Sequence, residues 1–145
     1  MADVELKQIN GEKHLIEQFS TECCRYTGVN IPAAYTESSE AWGLFIDGYM
    51  KGGFVIAGGR SMRCPVLIPD EAIRNDPMMS RYHVGQWCEV NQVWISDEVK
   101  DFMISLKLWL KIRTQLLASA YSVVIIPWIT QNRGLDRFYR TFVSN

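Results

Sequence analysis

The chain lacks several things that would narrow its class at once. No apolar run approaches the roughly 18 residues that a membrane-spanning helix needs. The N-terminal stretch MADVELKQINGEKH is charged and has no apolar core of the signal-peptide kind. Cysteine is scarce: four in 145 residues, at Cys23, Cys24, Cys64 and Cys88, with no C-x-x-C pair. His14 and His83 are the only histidines, so no ligand spacing matches a zinc site and no metal is expected. Internal repeats, low-complexity tracts, blocks of like charge and linker-like segments are all missing. With 15 basic and 16 acidic residues the net charge is −1, which removes any global attraction to nucleic acid or anionic membrane. No helix-turn-helix, zinc-finger or aromatic RNA-binding pattern is present. These absences predict a single domain over residues 1–145, cytoplasmic, with reduced and mostly buried thiols.

What is present is an ordinary globular balance, 48% apolar and 21% charged residues. Glu12 to Arg25 places Leu15, Ile16, Phe19 and Cys23 on one face, an amphipathic helix stopped near Gly28. Asn30 to Glu40 is turn-rich and reads as a mobile loop. In AWGLFIDGYMKGGFVIAGG, from Ala41 to Gly59, the runs Trp42–Ile46 and Phe54–Ala57 flank Asp47-Gly48 and Gly52-Gly53, which predicts a hairpin. Met62 to Ile68 reads as a third strand, kept to an edge or bulge by Pro65. Asp70 is placed to cap a short helix over Glu71 to Arg74.

Gln86 to Ser96 reads as a central strand with Trp87, Glu89, Asn91, Val93 and Ile95 on one side. Cys88, Val90, Gln92 and Trp94 fall on the other. Asp97 to Ala120 is the longest helical pattern, with Phe102, Leu106, Trp109, Leu110, Leu116 and Leu117 on a broad apolar face. Lys100, Lys107, Lys111 and Thr114 form its polar stripe. Val123 to Ile126 is a short β-branched run closed by Pro127. Asn132 stands at a helix N-cap position ahead of Leu135, Phe138 and Tyr139. The fold class is therefore α/β or α+β, a mixed sheet flanked by helices.

This order, with the strand–break–helix sequence VVIIPWITQNRGLDRFYRTF at its end, resembles the GNAT superfamily of N-acetyltransferases over roughly Glu12 to Phe142. The resemblance implies a central strand, EVNQVWIS, that splays from Val123–Pro127 so that the pantetheine arm of acetyl-CoA or another acyl-CoA enters the gap. Main-chain groups of Val93, Trp94 and Ile95 would hold that arm. Tyr139 matches a tyrosine that protonates the departing thiolate, a task suited to a phenol. A surface tyrosine packed beside Phe138 is the other reading. Asn132 matches a cofactor-contacting position, its other reading being a helix N-cap. Glu89 is the candidate general base for an amine acceptor, as against a merely ion-paired or solvated carboxylate.

One departure is plain. The family carries a glycine-rich turn after this strand, whose amides face the CoA pyrophosphate at a helix N-terminus. Here the segment is SDEVKDFMISLK, free of glycine and carrying Asp97, Glu98 and Asp101. Lys100 and Lys107 offset those acids in part, facing phosphate, an acidic carrier or only solvent. Two function classes result. One is an acyltransferase acting on a small-molecule or peptide amine, its donor carried on CoA or on an acyl carrier protein. The other is a non-catalytic binding or structural module of the same fold. The fold reads as short at the C-terminus, where the family adds a hairpin, so a homodimer partner is expected to cover the sheet edge.

Overall fold

The computed structural model describes residues 1–77, 79–127 and 133–143. Five strands form one sheet in the order β1-β2-β3-β4-β5, namely Val4–Gln8, Glu40–Ile46, Tyr49–Gly58, Trp87–Ile95 and Val123–Ile125. The first four are antiparallel neighbours, and β4 and β5 run parallel. Helices α1 (Lys13–Thr27) and α2 (Ala33–Glu37) lie on one face, and α4 (Phe102–Ala118) and α5 (Arg133–Phe142) lie on the other. The small helix α3 (Asp70–Asn75) sits in the β3–β4 connection.

Helix α1 forms where its apolar spacing predicts. Leu15, Ile16, Phe19 and Cys23 are buried, each apolar side chain contributing about 1.5–3 kcal/mol of burial free energy. Gly28 ends the helix at φ 74°, and its N–H donates to the Cys24 carbonyl at 2.8 Å. In the β2–β3 hairpin, Asp47 and Gly48 both have positive φ, as a two-residue type I′ turn requires. Gly52 and Gly53, expected as turn residues, lie inside β3 instead. A Cβ on Gly53 would collide with the Trp42 carbonyl and the Phe19 ring, so this glycine is what lets α1 settle onto the sheet.

Several expectations are overturned. Strand β1 was not foreseen, because VELKQ is half polar and sits at the sheet edge, where alternation is weak. Residues 30–40 are not a loose loop: α2 forms there, and Tyr35 and Thr36 are buried. Met62 to Ile68 is no strand but contains a 3₁₀ turn, Cys64–Leu67, with Pro65 near its start. Asp70 is the first residue of α3 rather than its cap. Helix α4 begins at Phe102, not Asp97, with Asp101 as N-cap accepting from the Met103 N–H at 2.9 Å. Its buried stripe is Ile104, Leu108 and Ile112, while Phe102, Leu110 and Leu117 are exposed. Apolar residues fall on more than one stripe of this helix, so spacing alone does not select the inner face.

Strand β4 breaks the predicted alternation. A bulge at Asn91–Gln92, with Gln92 at φ 51°, inserts one residue against β3. Cys88, Val90 and Val93 face α4 and α5, while Trp94 packs with α1. From Gln92 onward the sides are therefore the reverse of those expected.

Candidate functional site

The bulge and the short β5 create the site together. Ladder pairing between β4 and β5 covers only Trp87, Cys88 and Glu89, opposite Val123, Val124 and Ile125. From Val90 to Ile95, β4 has no ladder partner on that side among the described residues. Helix α5 packs against the opened edge instead, through Phe138 and Tyr139. Gln92 stays in its left-handed conformation because both its ends are tied. Its N–H donates to Asn91 Oδ1 at 2.8 Å, and its side-chain oxygen accepts from the Thr36 hydroxyl at 2.8 Å. A non-glycine residue held so costs on the order of 1 kcal/mol.

Along the opened edge lies a seam. An inner cavity of about 50 Å³ is bordered by Cys23, Ile31, Asn91, Gln92, Leu135 and Tyr139. The next, about 60 Å³, is bordered by Tyr26, Val93, Trp94, Ile95, Gly134 and Phe138. It leads to an outer groove of about 340 Å³ lined by Ser96, Lys100, Phe102 and Arg137, with Ile95, Gly134 and Phe138 common to both. The seam wall is stiff: Tyr26 stacks on Trp94 at 5.6 Å, Phe19 meets Trp94 edge-on at 5.9 Å, and the Tyr26 hydroxyl lies 3.0 Å from Ser96 Oγ.

Of the predicted site residues, Val93, Trp94, Ile95, Lys100 and Tyr139 all border this seam or its groove. Tyr139 is buried, its ring against Phe138, and burial pushes its hydroxyl pKa up, with Cys64 adding to the rise. That hydroxyl therefore holds its proton. Asn132 lies outside the described residues.

Glu89 sits elsewhere. It is fully buried, and its carboxylate accepts from the Tyr35 hydroxyl at 2.6 Å, from the Arg63 N–H, and from the Cys64 N–H at 2.7 Å. One carboxylate thus joins β4, α2 and the chain after β3. Burial first, and Glu89 second, push the Cys64 thiol up to about 12 and raise the Tyr35 hydroxyl as well.

Several amides of the turn from β4 to α4 are bonded within the chain. The Ser96 N–H donates to the Lys51 carbonyl at 2.7 Å, and Val99 N–H to the Ser96 carbonyl at 3.0 Å. Glu98 N–H reaches Ser96 Oγ at 3.3 Å, and Asp101 takes the Met103 amide. Glu98 is held to Lys51 at 2.6 Å, which lowers its pKa and raises that of the lysine. Of the lysine stripe, Lys100 alone borders the groove; Lys111 lies over the Trp42 ring at 4.0 Å. Arg137 was missed by sequence reading, which gave the arginines of α5 no role. The spacing Arg133, Arg137, Arg140 was the available signal.

No protein-family model matches the chain, and no curated protein matches it in sequence. Solved structures do. A ribosomal-protein-alanine N-acetyltransferase from Brucella melitensis biovar Abortus 2308 superposes with a TM-score of 0.63 at 12% identity, over 98% of this chain and 92% of its own. FeeM, an N-acyl amino acid synthase from uncultured soil microbes, gives 0.64 at 19% identity, over 96% and 77%. An aminoglycoside acetyltransferase from an uncultured soil metagenomic sample gives 0.62 at 14%, over 99% and 92%. Likeness at these identities is a statement of fold: the chain has the GNAT fold.

Proposed function

We propose that this GNAT-fold chain is an acyltransferase, moving an acyl group from a pantetheine thioester to a small-molecule or peptide amine by direct attack. The observation that carries the reading is the opened β4 edge, faced by α5, with Tyr139 at its inner end. An edge with spare main-chain groups suits the amides of a pantetheine arm, and Val93 to Ile95 supply it. The CoA pyrophosphate is another matter. The β4–α4 turn has no glycine and carries Asp97, Glu98 and Asp101, so acetyl-CoA or another acyl-CoA finds room for its arm but a poor cradle for its phosphates beside Lys100.

In the proposed reaction the amine nitrogen attacks the thioester carbonyl carbon, a C–N bond forms and the C–S bond breaks. Tyr139 gives its proton to the departing thiolate. The proton lost by the amine passes to solvent, since Glu89, fully buried among its three donors, lies away from the seam. Positioning supplies most of the rate enhancement, and the proton transfer from Tyr139 contributes about 10²–10⁴-fold.

The competing reading, a non-catalytic module, is favoured by the size of the inner cavities, about 50 and 60 Å³. An arm can enter only if α5 moves off β4. Calorimetry with acetyl-pantetheine and acetyl-CoA, followed by thiol release over a panel of amines, separates the two. Turnover that drops about 100-fold in Tyr139→Phe at unchanged KM supports acyl transfer. Absence of thioester binding up to millimolar concentration sinks it.

A further inference from the structure

Building on the acyltransferase reading, we propose that the donor arrives on an acidic carrier protein. Its phosphopantetheine thioester enters the seam, while the protein itself docks on the outer face of α5 and the start of α4.

The net charge of −1 conceals a division of the chain. Residues 102–145 contain six Lys/Arg and one acid, Asp136, whereas residues 1–101 contain nine and fifteen, so +5 stands against −6. The fold gathers much of that positive charge around the seam's mouth. Arg133, Arg137 and Arg140 line an open concavity of about 590 Å³, which shares Arg137 and Thr141 with the groove holding Lys100. From Arg133 to Arg140 this basic edge runs about 10 Å along the helix. Arg140 is paired with Asp136 at 3.0 Å. Arg133, Arg137 and Lys100 are exposed and form no ion pair among the described residues. Beside them Phe102 and Met103 are 56% and 54% exposed, an apolar contact next to the cations.

A nucleotide phosphate calls for converging amides on a glycine-rich turn, whereas this turn has no glycine, carries three acids, and has its Glu98, Val99 and Met103 amides bonded within the chain. The cations lie on side chains spread along a helix instead. That pattern complements the carboxylates of an acidic helix, which form charge-assisted bonds with arginine and steer association. Because the basic edge lies beside the groove that adjoins the seam, sharing Arg137 with it, the partner must present a slender group that threads inward, as a phosphopantetheine arm does. In the transfer step the carrier's pantetheine thiolate is the leaving group and takes its proton from Tyr139.

The test charges acetyl groups onto a purified acidic acyl carrier protein, onto CoA and onto pantetheine, and follows thiol release with the full-length chain over an amine panel. The carrier thioester is expected to show a KM at least tenfold below that of acetyl-CoA. Arg133→Glu/Arg140→Glu should raise the carrier KM at least tenfold, leave acetyl-pantetheine turnover within twofold, and retain the wild-type melting transition. Arg74→Glu/Arg81→Glu, exposed elsewhere, should change neither. Acetyl-CoA turnover with an inert carrier, or equal loss with all donors in the α5 variant, overturns this inference while acyl transfer stands. Co-sedimentation with phosphatidylglycerol vesicles that the α5 variant abolishes, with carrier kinetics unmoved, assigns the face to lipid and also overturns it. No thiol release from any of the three donors overturns both readings.

Discussion

Glu89 offers the sharpest test of how this fold is held together. Both of its oxygens are used, by the Tyr35 hydroxyl, the Arg63 N–H and the Cys64 N–H, at a site with no solvent exposure. Glu89→Gln preserves the shape but leaves one acceptor oxygen and turns an NH₂ toward a buried donor. One bond to a charged acceptor is lost and one N–H goes unsatisfied, together about 3 kcal/mol. For a domain of this size each kcal/mol moves the melting temperature by about 3 °C, so a drop of about 9 °C is expected. Glu89→Ala strands all three donors and opens a cavity, about 5 kcal/mol, which is the whole stability of a marginal domain. Tyr35→Phe removes a single donor and should cost about 2 kcal/mol; combined with Glu89→Gln the losses should be sub-additive, because the pair shares one bond. Thermal unfolding followed by calorimetry and near-ultraviolet dichroism measures all four variants. A Glu89→Gln protein melting within 3 °C of wild type would refute the buried three-donor carboxylate. Kinetics below the melting range then address chemistry. A proton acceptor loses a limb of the pH–rate profile on substitution, whereas an anchor lowers stability alone.

Three further outcomes follow from the same packing. In the native state one thiol should react readily with a colorimetric thiol reagent, Cys24, because Cys23, Cys64 and Cys88 are buried; denaturant should release all four. Burial holds Cys64 at about 12 and Cys23 and Cys88 at about 11, against 9.0 for an ordinary thiol. The unfolded chain therefore loses these protons first, so their stabilising effect is complete below pH 9 and fades as pH rises through 11 to 12. Melting temperatures measured from pH 8 to 11 should fall, and a flat profile would contradict the burial of these thiols. Gly53→Ala should lose about 3 kcal/mol or fail to fold, since its Cβ meets the Trp42 carbonyl and the Phe19 ring, whereas Gly85→Ala, with open space around it, should be neutral within about 0.5 kcal/mol. Circular dichroism of the two variants side by side checks the contrast.

Local sequence determined those elements whose signal is local. The i, i+4 apolar face and Gly28 set α1. Asp47-Gly48 set the hairpin turn, and the β-branched run before Pro127 set β5. These depend on backbone torsions and side-chain period, which a few neighbouring residues decide. The seam residues Val93 to Ile95 and Tyr139 were legible for a related reason: they belong to strongly patterned segments whose order matches one known plan. What tertiary structure alone decided was everything that depends on distant partners. Edge strand β1 exists because β2 offers a ladder. Helix α2 is fixed because Glu89 and Gln92 accept from Tyr35 and Thr36, 54 and 56 residues earlier in the chain. The bulge at Gln92 reverses the sides of β4, and no period in QWCEVNQVWIS announces it, because its torsion is held by a side chain from α2 and by the register of β3. The inner face of α4 was likewise chosen by the sheet, since a helix with apolar residues on more than one stripe can bury any of them and packing selects one. Charge behaved the same way. Composition reported near neutrality, and only folding gathered the arginines of α5 beside Lys100 at the mouth of the seam, because electrostatic fields add over space rather than along sequence.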